Sequence, residues 1–186
     1  MDTFFATKKR GKSSCGNTCC QMFVTDKGFV YVVLMRNKKD VILAVKQLAK
    51  EIGTSDAIVC DGAGEQTSLN FKRFLNSIGT TLHVLEEGTP WSNRAKLYIK
   101  LMKAAVCKDM QSSNCPFVFW DYCMQRHAQI NNLTAKSSFQ LHVQVPETTV
   151  TGEQGHISNL CTFDWYQWCY CVSKTASFPH ERKVLV

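Results

Sequence analysis

The chain has 186 residues, of which 45% are hydrophobic and 20% charged, and its formal net charge is +7. These values are typical of one globular domain with a full core and a small appendage, and the positive charge favours an anionic partner. The sequence contains neither an apolar run of the roughly 18 residues that span a bilayer nor a secretory signal. We therefore expect a protein of the nucleus or cytoplasm that is neither secreted nor transmembrane.

Predicted strands and helices alternate along the first two thirds of the chain. Alternating and β-rich runs predict strands over residues 2–6, 18–25, 29–35, 57–60 and 81–85. Apolar residues at helical spacing predict helices over residues 37–52, 66–78, 93–110 and 117–131. After Leu133 the pattern becomes irregular and β-like, with residues 163–172 as its clearest strand. This order predicts a mixed α/β sheet flanked by helices over residues 1–135, and a short β-rich appendage over residues 136–186.

Two aspartates occupy positions where such a sheet collects functional groups. Asp61 directly follows the apolar strand 57–60, and Asp2 opens the first strand. Ligand sites in open α/β sheets form at the carboxyl ends of strands, and phosphoryl transfer with two metal ions needs carboxylates that converge there. The alternative for Asp61 is a turn or helix-cap residue, because the glycines of residues 62–64 also suit an Asx turn.

Four segments, in order along the chain, resemble the integrase core of copia-type retrotransposons, in the retroviral-integrase superfamily. They are the hairpin 20–29 (CQMFVTDKGF), residues 61–65 (DGAGE), residues 88–96 (GTPWSNRAK) and residues 150–163 (VTGEQGHISNLCTF). The second is similar to the family's Ser-Asp-x-Gly-x-Glu signature and the third to its Thr-Pro-x-x-Asn-x-x-x-Glu block. The resemblance implies an RNase H-like fold, an Asp-Asp-Glu triad that binds Mg²⁺ or Mn²⁺, and integration of element DNA into a target.

The resemblance also assigns the site residues. Asp2 and Asp61 become the first two catalytic carboxylates and the metal ligands, whereas the third position, where the family has Glu, holds Lys96. A fixed ammonium repels a divalent cation and can pair with either aspartate, closing the site. We therefore expect an integrase-like domain with impaired catalysis, which needs Mg²⁺ or Mn²⁺ only if it is active. The alternatives are a nuclease that uses a displaced Glu65, Glu86 or Glu87, and a non-enzymatic DNA- or protein-binding remnant.

Basic residues near this site are candidates for contact with the phosphate backbone of element and target DNA. The predicted DNA-binding set is Lys8, Lys9, Arg10, Asn93, Arg94, Lys100 and Lys103. On the helix that begins at Asn93, the basic residues 96, 100 and 103 share one face, with a solvated surface as the alternative interpretation. The adjacent stripe of Leu97, Leu101 and Ala104 is expected to pack on the sheet. Integrases act as multimers, so a homo-oligomer through the outer helices is also expected.

The remaining chemistry-bearing residues favour structural roles. The ten cysteines include no Cys-x-x-Cys pair and no zinc-finger spacing, which favours buried free thiols over a zinc site. His83, His127 and His142 are isolated in sequence and are expected not to be ligands. Trp165, Tyr166, Trp168 and Tyr170 are expected to form the core of the appendage. By the resemblance, residues 136–186 are a linker and an incomplete SH3-like segment, and the missing flanking modules fit a degenerate or excised element.

Overall fold

A three-stranded antiparallel sheet forms the first half of the fold. The computed structural model describes residues 1–6, 11–86, 93–135, 144–172 and 181–185. The strands are β1 (Asp2–Phe5), β2 (Cys19–Val24) and β3 (Val30–Met35), in the order β1-β2-β3. Gly28 adopts φ +78° in the β2–β3 turn, a left-handed conformation that glycine reaches without steric cost. The predicted first strand and hairpin are confirmed.

A parallel pair, β4 (Ala57–Cys60) and β5 (Thr81–Val84), extends this arrangement. The amino group of Met1 donates to the carbonyl of Val59, which lays the start of β1 beside β4. The hydrogen-bonded sheets are β1-β2-β3 and β4-β5, and the bond from Met1 makes the two aspartate-bearing strands neighbours. Both strands of the parallel pair were predicted, and both are confirmed.

Five helices accompany the strands. They are α1 (Val41–Glu51), α2 (Gly64–Thr67), α3 (Leu69–Ser77), α4 (Arg94–Ser112) and α5 (Trp120–Leu133). Short 3₁₀ turns, Lys38–Asp40 and Phe117–Phe119, precede α1 and α5. The helix predicted over residues 66–78 is interrupted at Ser68, because its hydroxyl accepts a hydrogen bond from the Phe71 amide (3.3 Å) and starts a new helix there. Across the described residues, none of the helices has the length and apolarity that a membrane crossing requires.

The central strand β2 is buried on both faces, whereas β4 and β5 leave residues such as Val59 and Val84 exposed. Along β2, Cys20 and Met22 point into one core while Cys19 and Phe23 point into the other, as the two-residue period of a strand requires. Helices α4 and α5 cover the first core, whose buried members include Ile99, Met102, Val106, Trp120 and Met124. Helices α1 and α3 cover the second, whose buried members include Val41, Val45, Phe71 and Leu75. The result is a sheet between two helical layers.

Helix α4 packs through a different face from the one predicted. Its buried residues are Ala95, Ile99, Met102, Val106 and Met110. Leu97 and Leu101 are 55% and 57% exposed, and Ala104 is exposed as well, so the prediction that this stripe packs on the sheet is wrong. Both stripes recur at helical spacing, and the buried one extends along the whole helix, which gives the larger contact with the sheet.

After α5 the chain adds α6 (Thr148–Thr151), α7 (Ser158–Cys161) and an antiparallel pair, β6 (Trp168–Val172) and β7 (Glu181–Leu185). The strand predicted over residues 163–172 therefore begins only at its sixth residue. The segment before it folds back on the main domain. The guanidinium of Arg126 on α5 donates to the carbonyls of Leu160 and Phe163, both at 3.0 Å.

Two of the four clustered aromatic residues also pack on the main domain. Trp165 and Tyr166 contact the core beneath α4 and α5, and the Tyr166 ring centre lies 6.0 Å from that of Phe119. Their predicted place in a separate core of the appendage is therefore wrong. The side chains of Trp168 and Tyr170 lie outside the described residues.

Candidate active site

The backbone brings Asp2 and Asp61 to the same edge of the sheet. Asp61 follows the last residue of β4, and Asp2 is the first residue of β1. Because the amino group of Met1 donates to Val59, the two strands run side by side and deliver both aspartates to neighbouring positions. Each carboxylate is partly buried, and the charge of Asp61 acts on Asp2. The two predicted carboxylates are thus brought together.

Asn93 joins Asp61 to the start of α4. Its side-chain carbonyl caps the helix by accepting a hydrogen bond from the Ala95 amide (3.1 Å). Its amide nitrogen donates to Oδ1 of Asp61 (2.6 Å) and to the carbonyl of Met1 (3.4 Å). The residue is only 3% exposed. Asn93 was predicted as a DNA contact, but its polar atoms are used inside the protein, where they position the first turn of α4 against Asp61.

That first turn presents Lys96 to the aspartates. The ammonium of Lys96 forms an ion pair with Oδ2 of Asp61, and the two side chains are 41% and 27% exposed. The pairing that the sequence predicted for Lys96 is therefore confirmed with Asp61. Both carboxylate oxygens of Asp61 now have a partner: Oδ1 accepts from Asn93 and Oδ2 contacts Lys96.

The pKa values of the two aspartates move in opposite directions. Burial raises the pKa of Asp2 above its ordinary value and the charge of Asp61 adds to this, whereas the Thr3 amide and Lys96 oppose it. Burial also disfavours ionised Asp61, but the hydrogen bonds from Lys96 and Asn93 outweigh burial and hold its pKa below the ordinary value. In turn, the hydrogen bond to Asp61 raises the pKa of Lys96. At neutral pH the cluster therefore holds an ammonium beside a carboxylate.

A divalent cation does not fit these residues as they stand. Mg²⁺ binds through carboxylate oxygens and water, and two-metal sites need several carboxylates around the shared ions. Here Asp61 has both oxygens engaged, Asp2 accepts a hydrogen bond from the Thr3 amide (2.7 Å), and an ammonium occupies the third position. A metal ion would have to displace Lys96 and then remain beside its charge. The chain therefore supplies two of the three expected ligands, Asp2 and Asp61, and the ammonium of Lys96 repels the divalent ion that they would bind.

Of the three glutamates considered as substitutes for the third ligand, Glu65 has an ion-pair partner away from the aspartates. Glu65 on α2 pairs with the ammonium of Lys38 at 2.7 Å, and this hydrogen bond lowers the pKa of Glu65. Glu86 lies just beyond β5, and Glu87 lies outside the described residues. The described contacts therefore place Glu65 with Lys38 rather than with the aspartates.

The predicted basic residues fall into three groups. Lys100 and Lys103 are exposed on α4, and Nζ of Lys103 lies 4.9 Å from the centre of the Phe4 ring. Arg94 is exposed but donates to the carbonyls of Thr25 and Asp26 in the β2–β3 turn. Lys8, Lys9 and Arg10 lie outside the described residues. An exposed lysine stripe therefore leads away from the aspartates along α4.

A second polar cluster, at the other end of α4, escaped the sequence analysis. His127 is isolated in sequence, but in the structure its Nε2 lies 3.0 Å from Oδ2 of Asp109. Cys123 completes the cluster. The one available signal was the spacing of Cys123 and His127, four residues apart on a predicted helix, since Asp109 belongs to a different helix.

Comparison with known proteins identifies the architecture. No protein-family model and no curated protein matches the sequence. The structure, however, superposes on retroviral integrase catalytic cores. That of HTLV-2, solved with magnesium in a trimeric form, matches with a TM-score of 0.62 and 17% identity, over 80% of this chain and 92% of the other. The core of bovine immunodeficiency virus (BIV) integrase matches with a TM-score of 0.56 and 16% identity, over 82% and 91%. The chain has the RNase H-like fold.

A third similar structure places this fold in a longer protein. The integrase of simian T-cell lymphotropic virus, solved in an intasome with the PP2A regulatory subunit B56 gamma, matches with a TM-score of 0.64 and 15% identity. The match covers 79% of this chain and 51% of the viral chain, so the present chain spans about half of its length. In this RNase H-like fold, Asp2, Asp61 and Lys96 lie together at the carboxyl end of β4 and the start of α4.

Proposed function

We propose that the chain is a retrotransposon integrase-like domain that binds DNA in the nucleus or cytoplasm and is impaired in metal-dependent strand transfer. The observation that carries the proposal is the ion pair of Lys96 with Asp61, at the position where copia-type integrases have a glutamate. Support for the integrase relationship comes from the fold of the retroviral cores, among them the HTLV-2 core solved with magnesium, and from the four ordered sequence segments.

Charge decides the proposed impairment. Glutamate at position 96 would bring the cluster to three carboxylates, whereas lysine replaces one negative charge by a positive one. Two unit charges about 4 Å apart interact by about 4 kcal/mol at an effective dielectric constant of about 20. Reversing the sign at one ligand position therefore changes cation affinity far more than the loss of one coordinating oxygen. Asp2 and Asp61 are the proposed metal ligands once this charge is corrected.

The test is a series at position 96, assayed for Mg²⁺- and Mn²⁺-dependent nicking and strand transfer on duplex DNA. The native lysine and Lys96→Gln should be inactive, since neither supplies a third carboxylate. Lys96→Glu should be active, and adding Asp61→Asn to it should abolish that activity. Activity of the native chain would contradict the proposed impairment and turn attention to Glu65, Glu86 and Glu87. Inactivity of all variants, with normal DNA binding, would leave a non-enzymatic DNA-binding domain.

DNA binding is proposed to follow the exposed lysine stripe of α4. Lys100 and Lys103 continue the face of Lys96, and both residues are exposed. Arg94 and the basic residues Lys8, Lys9 and Arg10 belong to the same proposed surface. Such contacts neutralise backbone phosphates and read no bases, so binding should be nonspecific, and its affinity should fall steeply with salt.

Two lysines with similar surroundings offer a matched test of this surface. Lys103 lies over the ring of Phe4 at 4.9 Å, and Lys46 on α1 lies over the ring of Phe74 at 5.5 Å. They stand on opposite helical layers of the sheet. Lys103→Gln should weaken duplex binding and reduce the salt dependence by about one phosphate contact, whereas Lys46→Gln should leave both unchanged. Equal losses in the two variants would contradict a DNA surface on α4.

Self-association is a second proposal, and a specific observation favours it. Leu97 and Leu101 lie one helical turn apart on α4 and are each more than half exposed, which forms an apolar strip beside the lysines. We infer that this strip is where two copies meet. Sedimentation should show an oligomer for the native chain and a monomer for Leu97→Ser with Leu101→Ser, while Leu43→Ser, at an exposed leucine of α1, should behave as the native chain does.

A further inference from the structure

A mixed cluster of metal-ligating groups bridges α4 and α5 far from the aspartates of the active site. One ligand atom from each of Asp109, Cys123 and His127 lies within 4.8 Å of the other two. Cys123 and His127 are four residues apart on α5 and therefore share one face, and Asp109 reaches them from the last two turns of α4. Three different donor groups from two packed helices thus meet in one small volume.

We propose that Asp109, Cys123 and His127 form a binding site for Zn²⁺. Thiolate, imidazole and carboxylate are the three side-chain donors that zinc takes in proteins, whereas Mg²⁺ and Ca²⁺ prefer oxygen alone. Three protein ligands leave a fourth tetrahedral position, which water would fill. The bound ion would cross-link α4 to α5 and so stabilise the helical layer that carries the lysine stripe.

The protonation states of the free site suit this assignment. Burial lowers the pKa of His127, with Asp109 opposing, and so favours the neutral imidazole that binds metal ions. Nε2 of His127 lies 3.0 Å from Oδ2 of Asp109, so a metal ion bound between the imidazole and the carboxylate would replace this contact. Burial raises the pKa of Cys123 to about 12, so metal binding has to release the thiol proton.

A metal ion can reach this cluster from solvent, and among the described residues Arg126 competes with it for Asp109. Cys123 is fully buried, but the side chains of Asp109 and His127 are 29% and 15% exposed, so an ion would arrive from the solvent side of Asp109. Arg126 lies 3.8 Å from Oδ2 of Asp109, beyond hydrogen-bond length, and its other nitrogen is held by the carbonyls of Leu160 and Phe163. Asp109 and the thiolate together neutralise a divalent ion, so this guanidinium weakens binding without blocking the site.

Titration of the reduced 186-residue chain with Co²⁺, the spectroscopic substitute for Zn²⁺, tests the proposal. One equivalent should bind with a thiolate-to-cobalt charge-transfer band and the visible spectrum of tetrahedral cobalt, and Zn²⁺ should displace it. Cys123→Ala should lose the charge-transfer band. His127→Gln should weaken binding by more than about 100-fold, since even groups that only support metal ligands contribute about 10–100-fold.

Two controls separate this site from other thiols and from the aspartates. Cys19→Ala removes a cysteine that is equally buried but lies in the opposite core, and Asp61→Asn removes the other candidate metal ligand. Both variants should bind Co²⁺ as the native chain does. Zn²⁺ at about a hundredfold above its dissociation constant should raise the melting temperature of the native chain by about 5 °C or more, but not that of His127→Gln. A charge-transfer band that persists in Cys123→Ala, or no stoichiometric binding, would overturn the proposal.

Discussion

The two ends of α4 differ in whether a sequence motif and a set of metal-ligating side chains occur together. At its start, Lys96 lies in a sequence block typical of a metal enzyme, yet the geometry there pairs an ammonium with Asp61. At its end, about 20 Å along the helix, Asp109 lies in no motif, yet it meets a thiol and an imidazole that suit a transition metal. At the two ends of this helix, the sign of a charge and the type of donor bear on metal binding more directly than a recognisable motif does.

Both clusters depend on which face of α4 packs against the sheet. Substitutions on that face should have the largest effect on the free energy of unfolding. Met102 is 5% exposed in the core midway along the helix, and Leu101 beside it is 57% exposed. Met102→Ala should lower the free energy of unfolding by about 2–5 kcal/mol, whereas Leu101→Ala should change it by less than about 0.5 kcal/mol. Urea titration measures both. The reverse order would mean that the helix packs through its other stripe, and neither cluster would then form as described.

Reversing the charge at the start of α4 should make the two ends alike in binding metal. Lys96→Glu should increase the affinity for Mn²⁺ by about 100-fold or more, because it removes the ammonium that repels the ion and adds a carboxylate that binds it. Paramagnetic Mn²⁺ can be followed directly by its electron spin resonance signal. The neutral variant Lys96→Gln should show only part of the gain. If Lys96→Gln binds Mn²⁺ as tightly as Lys96→Glu does, repulsion by Lys96 alone explains the weak metal binding of the native chain, and no third carboxylate is needed.

The two aspartates of the first cluster should differ in their contribution to stability. The pKa of Asp61 is lowered by Lys96 and Asn93, so its stabilisation is present above the unfolded pKa near 3.8 and is lost as the pH falls through the folded value. At neutral pH, Asp61→Asn should cost about 1 kcal/mol. Burial raises the pKa of Asp2, so its ionised form is the less favourable one and Asp2→Asn should be neutral or stabilising. Equal costs at pH 7 would contradict this division.

The second cluster should show the smallest effect, in mildly acidic solution without metal. Because burial lowers the pKa of His127, the unfolded chain takes up a proton before the folded chain does, and stability falls as the pH drops below about 6.5. His127→Gln should remove about 1 kcal/mol or less of this loss between pH 7.5 and 5.5. The difference between the two denaturation curves isolates the residue from other histidines. An identical pH dependence in both would mean that His127 titrates as it does in the unfolded chain.

The sequence alone determined the order of the strands and helices and the meeting of the two aspartates. Alternating β-rich runs and apolar residues at helical spacing act within a few residues, so they can be interpreted without tertiary contacts. The sequence also shows the position of Asp61 after an apolar strand and the positive charge at Lys96, but the structure decides that Lys96 pairs with Asp61. The same periodicity did not predict the break in the helix at Ser68. There the serine hydroxyl caps a new helix although the apolar spacing continues through it.

Only the tertiary structure decided which stripe of α4 is buried and which groups meet at its far end. Both stripes have helical spacing, so local periodicity cannot rank them, and the contact area against the sheet makes the choice. Tertiary structure also brings the side-chain amide of Asn93 to Asp61, which follows a distant strand. Asp109 and His127 belong to different helices, and the packing of α4 against α5 alone brings a carboxylate, a thiol and an imidazole together.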